Sequence, residues 1–186
     1  MPDTTTQDAN QLFTKDLRPM PYWAMLAEDK ITAWAAGKAE GFSTGFPSLD
    51  GYFRLVDGEM VVIAARPSQG KTILGVQIAE NVARKLQADG TPGSVAIFSA
   101  EMTGWSLVVR MAGAMSGVNT HNLRMGKGQQ GDAQRLQAAI ADLKRLPIWI
   151  DDGSAPTTKT MLEQLVDLNE TNPVRMMLFD FMELGG

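Results

Sequence analysis

The sequence predicts an α/β fold with a mainly parallel sheet flanked by helices. Two observations point to this fold. From Gly41 onward, segments with strand signals and segments with helix signals alternate along the chain. Several strand segments are also continuous apolar runs, as expected for parallel strands that are buried on both faces. The predicted strands cover residues 60–65, 94–99, 148–151 and 174–181.

Helices are predicted where apolar residues recur every three or four positions. The segment 72–86 directly follows the first predicted strand, and further helices are predicted at residues 105–115, at residues 133–143 and from Pro156 and Thr157 onward. The sequence therefore supplies a helix after most of its strands, as a parallel sheet requires.

The chain divides into three parts by composition. Residues 1–20 are mostly polar, which predicts a disordered lead-in. Residues 21–40 contain Trp23 and Leu26 at helical spacing and are predicted to form an amphipathic helix. Residues 41–186 are predicted to form the α/β domain.

Composition limits the classes of function. With 186 residues, of which 44% are hydrophobic, the chain can bury the core of one domain. The net charge of −4, from 17 basic and 21 acidic residues, argues against a surface that binds nucleic acid indiscriminately. The absence of cysteine excludes disulfides and thiolate zinc sites, and the lone His121 is predicted to be a surface residue. No apolar run approaches the ~20 residues of a membrane helix, so we expect a cytoplasmic protein without a membrane partner.

An eight-residue motif after the first predicted strand is the strongest functional signal. It matches the P-loop, with alanine in place of the usual first glycine. Because the loop leaves a strand and enters a helix, its backbone N–H groups and the helix dipole would converge on a phosphate. Lys71 would contact the β and γ phosphates and Thr72 would ligate Mg²⁺, so the motif predicts binding of ATP or a related nucleotide. The motif consists of Ala65, Arg66, Pro67, Ser68, Gln69, Gly70, Lys71 and Thr72.

A carboxylate for the metal is predicted at the end of the last strand. Residues 176–179 are apolar and are followed by Asp180, which is the Walker B pattern. The pattern is common by itself. Together with the P-loop it predicts that Asp180 holds Mg²⁺ through a coordinated water.

Glu101 is the candidate for the group that activates the attacking water. Two residues separate it from the apolar run 95–98, so it would lie at the carboxyl edge of the sheet, where open α/β folds bind ligands. This position suits a general base, and it equally suits a favourable charge near a helix N-terminus. The spacing alone leaves both interpretations open.

Several segments, in the same order, resemble the DnaB-type replicative DNA helicases. Ser-Thr-Gly-Phe-Pro-Ser-Leu-Asp resembles the family's opening motif, Ala-Arg-Pro-Ser-Gln-Gly-Lys-Thr its P-loop, and Phe-Ser-Ala-Glu-Met the segment with its catalytic glutamate. The match is collinear from Gly41 to Leu184. The matching segments are residues 43–50, 64–72, 98–102, 148–152 and 179–184.

This resemblance implies a RecA-like P-loop NTPase fold and a homo-hexameric ring with ATP sites between subunits. It also implies movement along single-stranded DNA coupled to duplex unwinding in DNA replication. It favours Glu101 as the general base and residues 21–40 as a linker-like helix that clasps the adjacent subunit. Phe181 and Glu183 stand where the family usually has tyrosine and glutamine, which concerns contacts beyond the Walker B strand.

The resemblance further implies that the ATPase domain at residues 41–186 is incomplete, with its C-terminal part missing. The family's DNA-binding loops and arginine finger follow the Walker B strand, and no residue can be assigned to them here. A later strand of the family also lies between the P-loop strand and the Walker B strand. We therefore expect a gap in the sheet with exposed backbone groups, poor stability and slow ATP hydrolysis.

Two alternative functions stay open. A non-catalytic nucleotide-binding module would assemble with a full-length helicase and modulate it, and the amphipathic segment around Trp23 and Trp34 supports that idea. A RecA-like ATPase of the recombinase or clock type would share the P-loop and the glutamate. The Ala-Arg-Pro-Ser and Ser-Ala-Glu-Met stretches favour the helicase.

Residues 103–150 contain six basic and two acidic residues, a local surplus of 6 − 2 = +4. Such a surplus is compatible with a face that contacts DNA. Because no aromatic residues interleave with the basic ones in the sequence, a solvated charged surface is the favoured interpretation.

Overall fold

In the part of the chain that the structure describes, three parallel strands form a sheet. β1 (Ser94–Ser99) lies in the centre, with β2 (Ile148–Asp151) on one side and β3 (Val174–Asp180) on the other. Every residue of β1 is buried, which explains its continuous apolar sequence. The pairing of Ser99 with Asp180 brings the carboxyl ends of β1 and β3 level at one edge. The predicted parallel sheet is confirmed.

The computed structural model describes residues 18–66, 68–153 and 156–180. The chain divides after Val61 into two compact units. Most of the predicted disordered lead-in lies outside the described residues, as do Pro67, Phe181 and Glu183 of the sequence motifs.

Five helices accompany the strands of the second unit in the described part of the chain. Two of them, at Lys71–Asp89 and Gly104–Ser116, pack on one another, and the first also contacts β1 and β3. The predicted helices and the strands 94–99 and 148–151 are confirmed, whereas the five-residue helix at Thr120–Arg124 was not predicted. No helix among the described residues is long and apolar enough to cross a membrane. The helices are α3 (Lys71–Asp89), α4 (Gly104–Ser116), α5 (Thr120–Arg124), α6 (Asp132–Leu143) and α7 (Thr158–Thr171).

Gly75 sets how closely α3 approaches β3. A Cβ at this position would lie 3.1 Å from Leu178 Cδ1 and 3.9 Å from Ile63 Cδ1. The missing side chain therefore leaves room for both apolar groups against the helix. This packing fixes the start of α3 close to the end of β3.

The predicted strand at residues 60–65 is wrong. In the structure these residues form no strand, and Met60 and Val62 expose 83% and 68% of their surface. An apolar run becomes a strand only when a neighbouring strand supplies backbone hydrogen bonds. Among the described residues, no backbone bond joins this segment to a strand, and the edge of β3 opposite β1 is also unpaired. The expected gap in the sheet beside β3 stays a prediction.

Within residues 18–61, the described part of the first unit, there are two helices, α1 (Met20–Ala35) and α2 (Pro47–Asp50), and an antiparallel bridge between Phe42 and Leu55. The predicted helix at residues 21–40 is therefore shorter than expected at its C-terminal end. No residue of α1 is buried, although several of its side chains are large and apolar. Arg54 contributes to the unit by donating hydrogen bonds to the carbonyl oxygens of residues 40 and 41.

Asp50 organises the loop that resembles the family's opening motif. Its carboxylate accepts hydrogen bonds from Ser43 Oγ at 2.5 Å and from the Thr44 backbone N–H and Oγ1, both at 2.7 Å. Thr44 is completely buried. The hydrogen bonds from Ser43 and then Thr44 lower the pKa of Asp50 below its usual value.

The lowered pKa of Asp50 predicts that acid destabilises this loop. A carboxyl group whose pKa is lower in the folded state stabilises the fold above its unfolded pKa of about 3.9, and loses that contribution as pH falls through its folded pKa. Chemical denaturation between neutral pH and pH ~3 should therefore show falling stability. We expect Asp50→Asn to be less stable at neutral pH and less sensitive to acid. Asp57→Asn, at an exposed position, serves as the control, and equal acid sensitivity in wild type and Asp50→Asn would contradict this prediction.

Candidate functional site

Asp180 and Glu101 are brought to the same edge of the sheet by the pairing of β1 with β3. The ladder continues one residue beyond β1, because the Ala100 N–H donates a hydrogen bond of 2.8 Å to the Asp180 carbonyl oxygen. Glu101 is the next residue along the chain. The structure therefore places both predicted acidic residues at the carboxyl edge, as the sequence predicts.

Lys71 lies at the same edge because it is the first residue of α3. Its Nζ is 3.7 Å from Asp180 Oδ1, so the lysine and the carboxylate of the two predicted motifs form an ion pair. Lys71 and Asp180 are 109 positions apart (180 − 71) in the sequence. The next residue, Thr72, is half-buried in the first turn of the helix.

The loop before α3 has the backbone shape of an anion-binding turn. Ser68 and Gly70 have φ angles of 64° and 87°, with Gln69 between them. Such alternation turns successive N–H groups toward one side and makes a concave site for an anion. A Cβ at Gly70 would meet no atom within 4 Å, so crowding does not exclude a side chain there. Glycine is needed at position 70 for its positive φ.

The Asp180 carboxylate has the chemistry of a metal ligand. It is only 4% exposed, and among the described residues its Oδ2 has no hydrogen-bond partner. A buried carboxylate oxygen without a partner is unfavourable, and a bound cation would relieve that cost. The described residues include no cluster of three or more histidine, cysteine, aspartate or glutamate side chains. A carboxylate oxygen is a ligand of the kind that Mg²⁺ takes in proteins, usually together with waters and phosphates.

Glu101 sits on a short turn closed by Ser99. The Ser99 Oγ donates to the Met102 carbonyl oxygen at 2.7 Å and accepts from the Met102 N–H at 3.1 Å. Glu101 is exposed on this turn, and within the described chain its carboxylate has no hydrogen-bond or ion-pair partner. It is therefore available to a ligand at the sheet edge.

Sequence reasoning missed the residues that hold this turn in place. Ser99 ends β1 and is buried, and Asp152 Oδ2 accepts a 2.7 Å hydrogen bond from the Gly104 N–H at the start of α4. The available signals were a serine at the end of an apolar strand and the Asp-Asp pair after β2. Neither signal indicates which backbone group the side chain will bind.

The P-loop leads directly into a helix, and a carboxylate on a parallel strand lies beside the start of that helix. In an α/β fold, this arrangement is typical of the P-loop ATPases. Residues 41–185 match the family model described as "DnaB-like helicase C terminal domain". The chain belongs to this family.

Curated relatives are replicative helicases. The chain is 36% identical over 152 residues to the replicative DNA helicase DnaB of Geobacillus stearothermophilus. It has the same identity over the same length to the replicative DNA helicase DnaC of Bacillus subtilis (strain 168). Each alignment covers 80% of this chain and 32% of the relative, so the chain spans about a third of the length of these proteins.

Solved structures share the fold. One of them, described as an ATPase domain, superimposes with a TM-score of 0.74 at 23% identity, over 90% of this chain and 58% of that chain. A DnaB-like replicative helicase, whose structure was described with its interactions with primase, gives a TM-score of 0.68 at 22% identity. That match covers 89% of this chain and 39% of the other. The predicted RecA-like fold is confirmed.

Lys71→Ala should weaken nucleotide binding strongly. The substitution removes a charged donor to the phosphates, and a hydrogen bond involving a charged group contributes ~1.5–3 kcal/mol, or roughly 10- to 150-fold in affinity. Titration with a fluorescent ATP analogue in the presence of Mg²⁺ would measure the change. Lys85→Ala is the matched control, because Lys85 lies on the same helix but pairs with Asp89. Unchanged affinity in Lys71→Ala would contradict the assignment of the P-loop.

Proposed function

We propose that this chain binds ATP with Mg²⁺ and acts as the ATPase domain of a replicative DNA helicase. The observation that carries the proposal is the 3.7 Å pair of Lys71 and Asp180, which places a cation for phosphates beside a buried carboxylate. The unpartnered Asp180 Oδ2 supports metal binding at the same point. Membership in the DnaB-like family supports the coupling of ATP hydrolysis to DNA unwinding.

The P-loop would bind the phosphates of ATP. Backbone N–H groups in the turn around Ser68 and Gly70 surround the anion, and the N-terminus of α3 adds its dipole. Lys71 neutralises the β and γ phosphates. Thr72 and Asp180 hold Mg²⁺, the latter through a coordinated water. The proposed nucleotide-binding residues are Ala65, Arg66, Pro67, Ser68, Gln69, Gly70, Lys71 and Thr72.

Glu101 would act as the general base. When bound, Mg²⁺ supplies positive charge that stabilises the phosphate oxygens during the transfer. The Glu101 carboxylate orients a water and accepts its proton as the new bond to the γ phosphorus forms and the bond to the β–γ bridging oxygen breaks. Its exposure, and its lack of a partner among the described residues, support this role.

The remaining parts of the proposal concern the assembly. Kinship with replicative DNA helicases supports a homo-hexamer that moves along single-stranded DNA in the cytoplasm of a bacterium or a phage-infected host. The exposed apolar side chains of α1 would dock on the adjacent subunit as a linker-like helix. Trp23, Leu26, Ile31 and Trp34 expose 45%, 39%, 57% and 52% of their surface.

A second candidate is a non-catalytic module that binds nucleotide and assembles with full-length helicase subunits. Two observations favour it. α1 buries none of its residues, and β3 leaves one edge without a partner among the described strands. Both features suit assembly with another chain. The two candidates differ in whether Glu101 supports turnover.

Glu101→Gln should slow ATP turnover strongly but leave ATP binding intact. A general base contributes roughly 10²- to 10⁴-fold to the rate, whereas a neutral amide cannot accept the proton. Phosphate release measured with and without single-stranded DNA would test the change. Glu170→Gln, which alters an exposed carboxylate on α7, is the matched control. ATP binding without any turnover in wild type would favour the non-catalytic module, and equal turnover in wild type and Glu101→Gln would reject Glu101 as the base.

A further inference from the structure

A groove between α4 and α5 brings one aromatic and several basic side chains together. It has a volume of about 270 Å³ and is lined by Trp105, Val109, Arg110, His121 and Arg124, among others. None of these residues belongs to the ATP site proposed above.

The groove forms because α5 folds back on α4. The first helix ends at Gly117, whose φ of 67° reverses the chain, and Asn119 begins the second by accepting a 3.0 Å hydrogen bond from the Asn122 N–H. Gly113 permits the close approach, since a Cβ there would lie 2.7 Å from Thr120 Cγ2. This turn brings Arg124 to the same groove as Trp105, although 19 positions (124 − 105) separate them in the sequence.

The two arginines of this groove differ from two others in the surrounding region, which are neutralised by carboxylates. Arg135 is paired with Asp132, and Arg145 is paired with Asp142. Arg110 and Arg124 are exposed, and neither has an ion pair or hydrogen bond with any described residue. Two guanidinium groups therefore face solvent beside one another without a carboxylate to neutralise them.

Trp105 adds a flat apolar surface to this charge. Trp105 exposes 61% of its surface and lines the groove, whereas Leu107 and Met111 of the same helix are buried. Aromatic rings beside basic side chains are the arrangement with which proteins hold single-stranded nucleic acid: bases stack on the ring and phosphates pair with the cations. In the sequence no aromatic residue stands between the basic ones, but in the folded structure Trp105 lines the same groove as Arg110 and Arg124.

We propose that the groove between α4 and α5 binds single-stranded nucleic acid, with a base stacked on Trp105 and phosphates held by Arg110 and Arg124. An acidic peptide could pair its carboxylates with the two arginines, but it has no planar base that would stack on the exposed indole. The groove would be a contact additional to any DNA path through an assembled ring. It would be local, in keeping with the net charge of −4.

Fluorescence anisotropy of a labelled oligo(dT) with the full chain would test the groove. The double variant Arg110→Gln with Arg124→Gln should weaken binding about tenfold. It should also reduce the slope of log affinity against log salt concentration by about 1.4, because each of the two lost phosphate contacts contributes ~0.7 to that slope. Lys144→Gln with Lys159→Gln removes the same charge from exposed positions outside the groove and should change the affinity less than about twofold.

The role of the indole is tested separately. Trp105→Ala should weaken binding of oligo(dT) by roughly five- to tenfold but leave binding of an abasic oligonucleotide unchanged, because only the first offers bases for stacking. Trp105→Phe should retain most of the affinity. Trp149→Ala, which removes a half-exposed tryptophan from β2, is the control.

Three results would overturn the proposal. The first is that wild type fails to bind oligo(dT) at low salt. The second is that Trp105→Ala weakens binding of the abasic oligonucleotide and of poly-glutamate equally, which would indicate an acidic protein partner. The third is a loss of self-association in the double arginine variant with unchanged oligo(dT) binding, which would assign the groove to a second copy of the chain. ATP binding, measured in parallel, should be unaffected in every variant, so this test is independent of the proposed ATP site.

Discussion

The parallel pairing of β3 with β1 is the constraint on which the candidate ATP site depends. Because the two strands run in the same direction, Asp180 and the turn that holds Glu101 end at the same edge of the sheet. α3 packs on both strands, and Gly75 lets Leu178 approach it closely. The helix therefore begins beside Asp180, and Lys71 pairs with that carboxylate although the two residues are far apart in the sequence.

The same arrangement links ligand binding to stability. A buried polar atom without a partner costs about 1–3 kcal/mol, and Asp180 Oδ2 is such an atom among the described residues. The protein tolerates this cost because β3 is anchored by its pairing with the fully buried β1. A ligand that binds only the folded state and satisfies this oxygen would stabilise the fold in proportion to its concentration.

The elements predicted correctly are those whose burial can be read from the pattern of apolar residues within the element itself. The apolar run at 94–99 is a buried central strand, and the helical spacing after Lys71 matches a helix with one buried face. The similar run at 60–65 was predicted to be a strand and is not one, because apolarity does not reveal whether a neighbouring strand is present to pair with it.

The sequence predicts more of the candidate ATP site than of the groove between α4 and α5. The P-loop and Walker B motifs can each be identified from eight residues or fewer, and each predicts a chemical role. Only the 3.7 Å distance between Lys71 Nζ and Asp180 Oδ1 required the structure. The Ser99 turn and the groove of Trp105 and Arg124 depend on contacts between elements. Sequence spacing could not show that Arg110 and Arg124 lack carboxylate partners among the described residues while Arg135 and Arg145 have them.

The Mg²⁺ dependence of ATP binding in Asp180→Asn tests the central claim most directly. ATP affinity would be measured with Mg²⁺ and with a chelator, in wild type, in Asp180→Asn and in the exposed control Asp89→Asn. If Asp180 holds the metal at the P-loop, Mg²⁺ should tighten ATP binding in wild type and in the control. In Asp180→Asn that increment should be lost while metal-free binding remains. An unchanged Mg²⁺ increment in Asp180→Asn would contradict the assignment of this carboxylate to the metal.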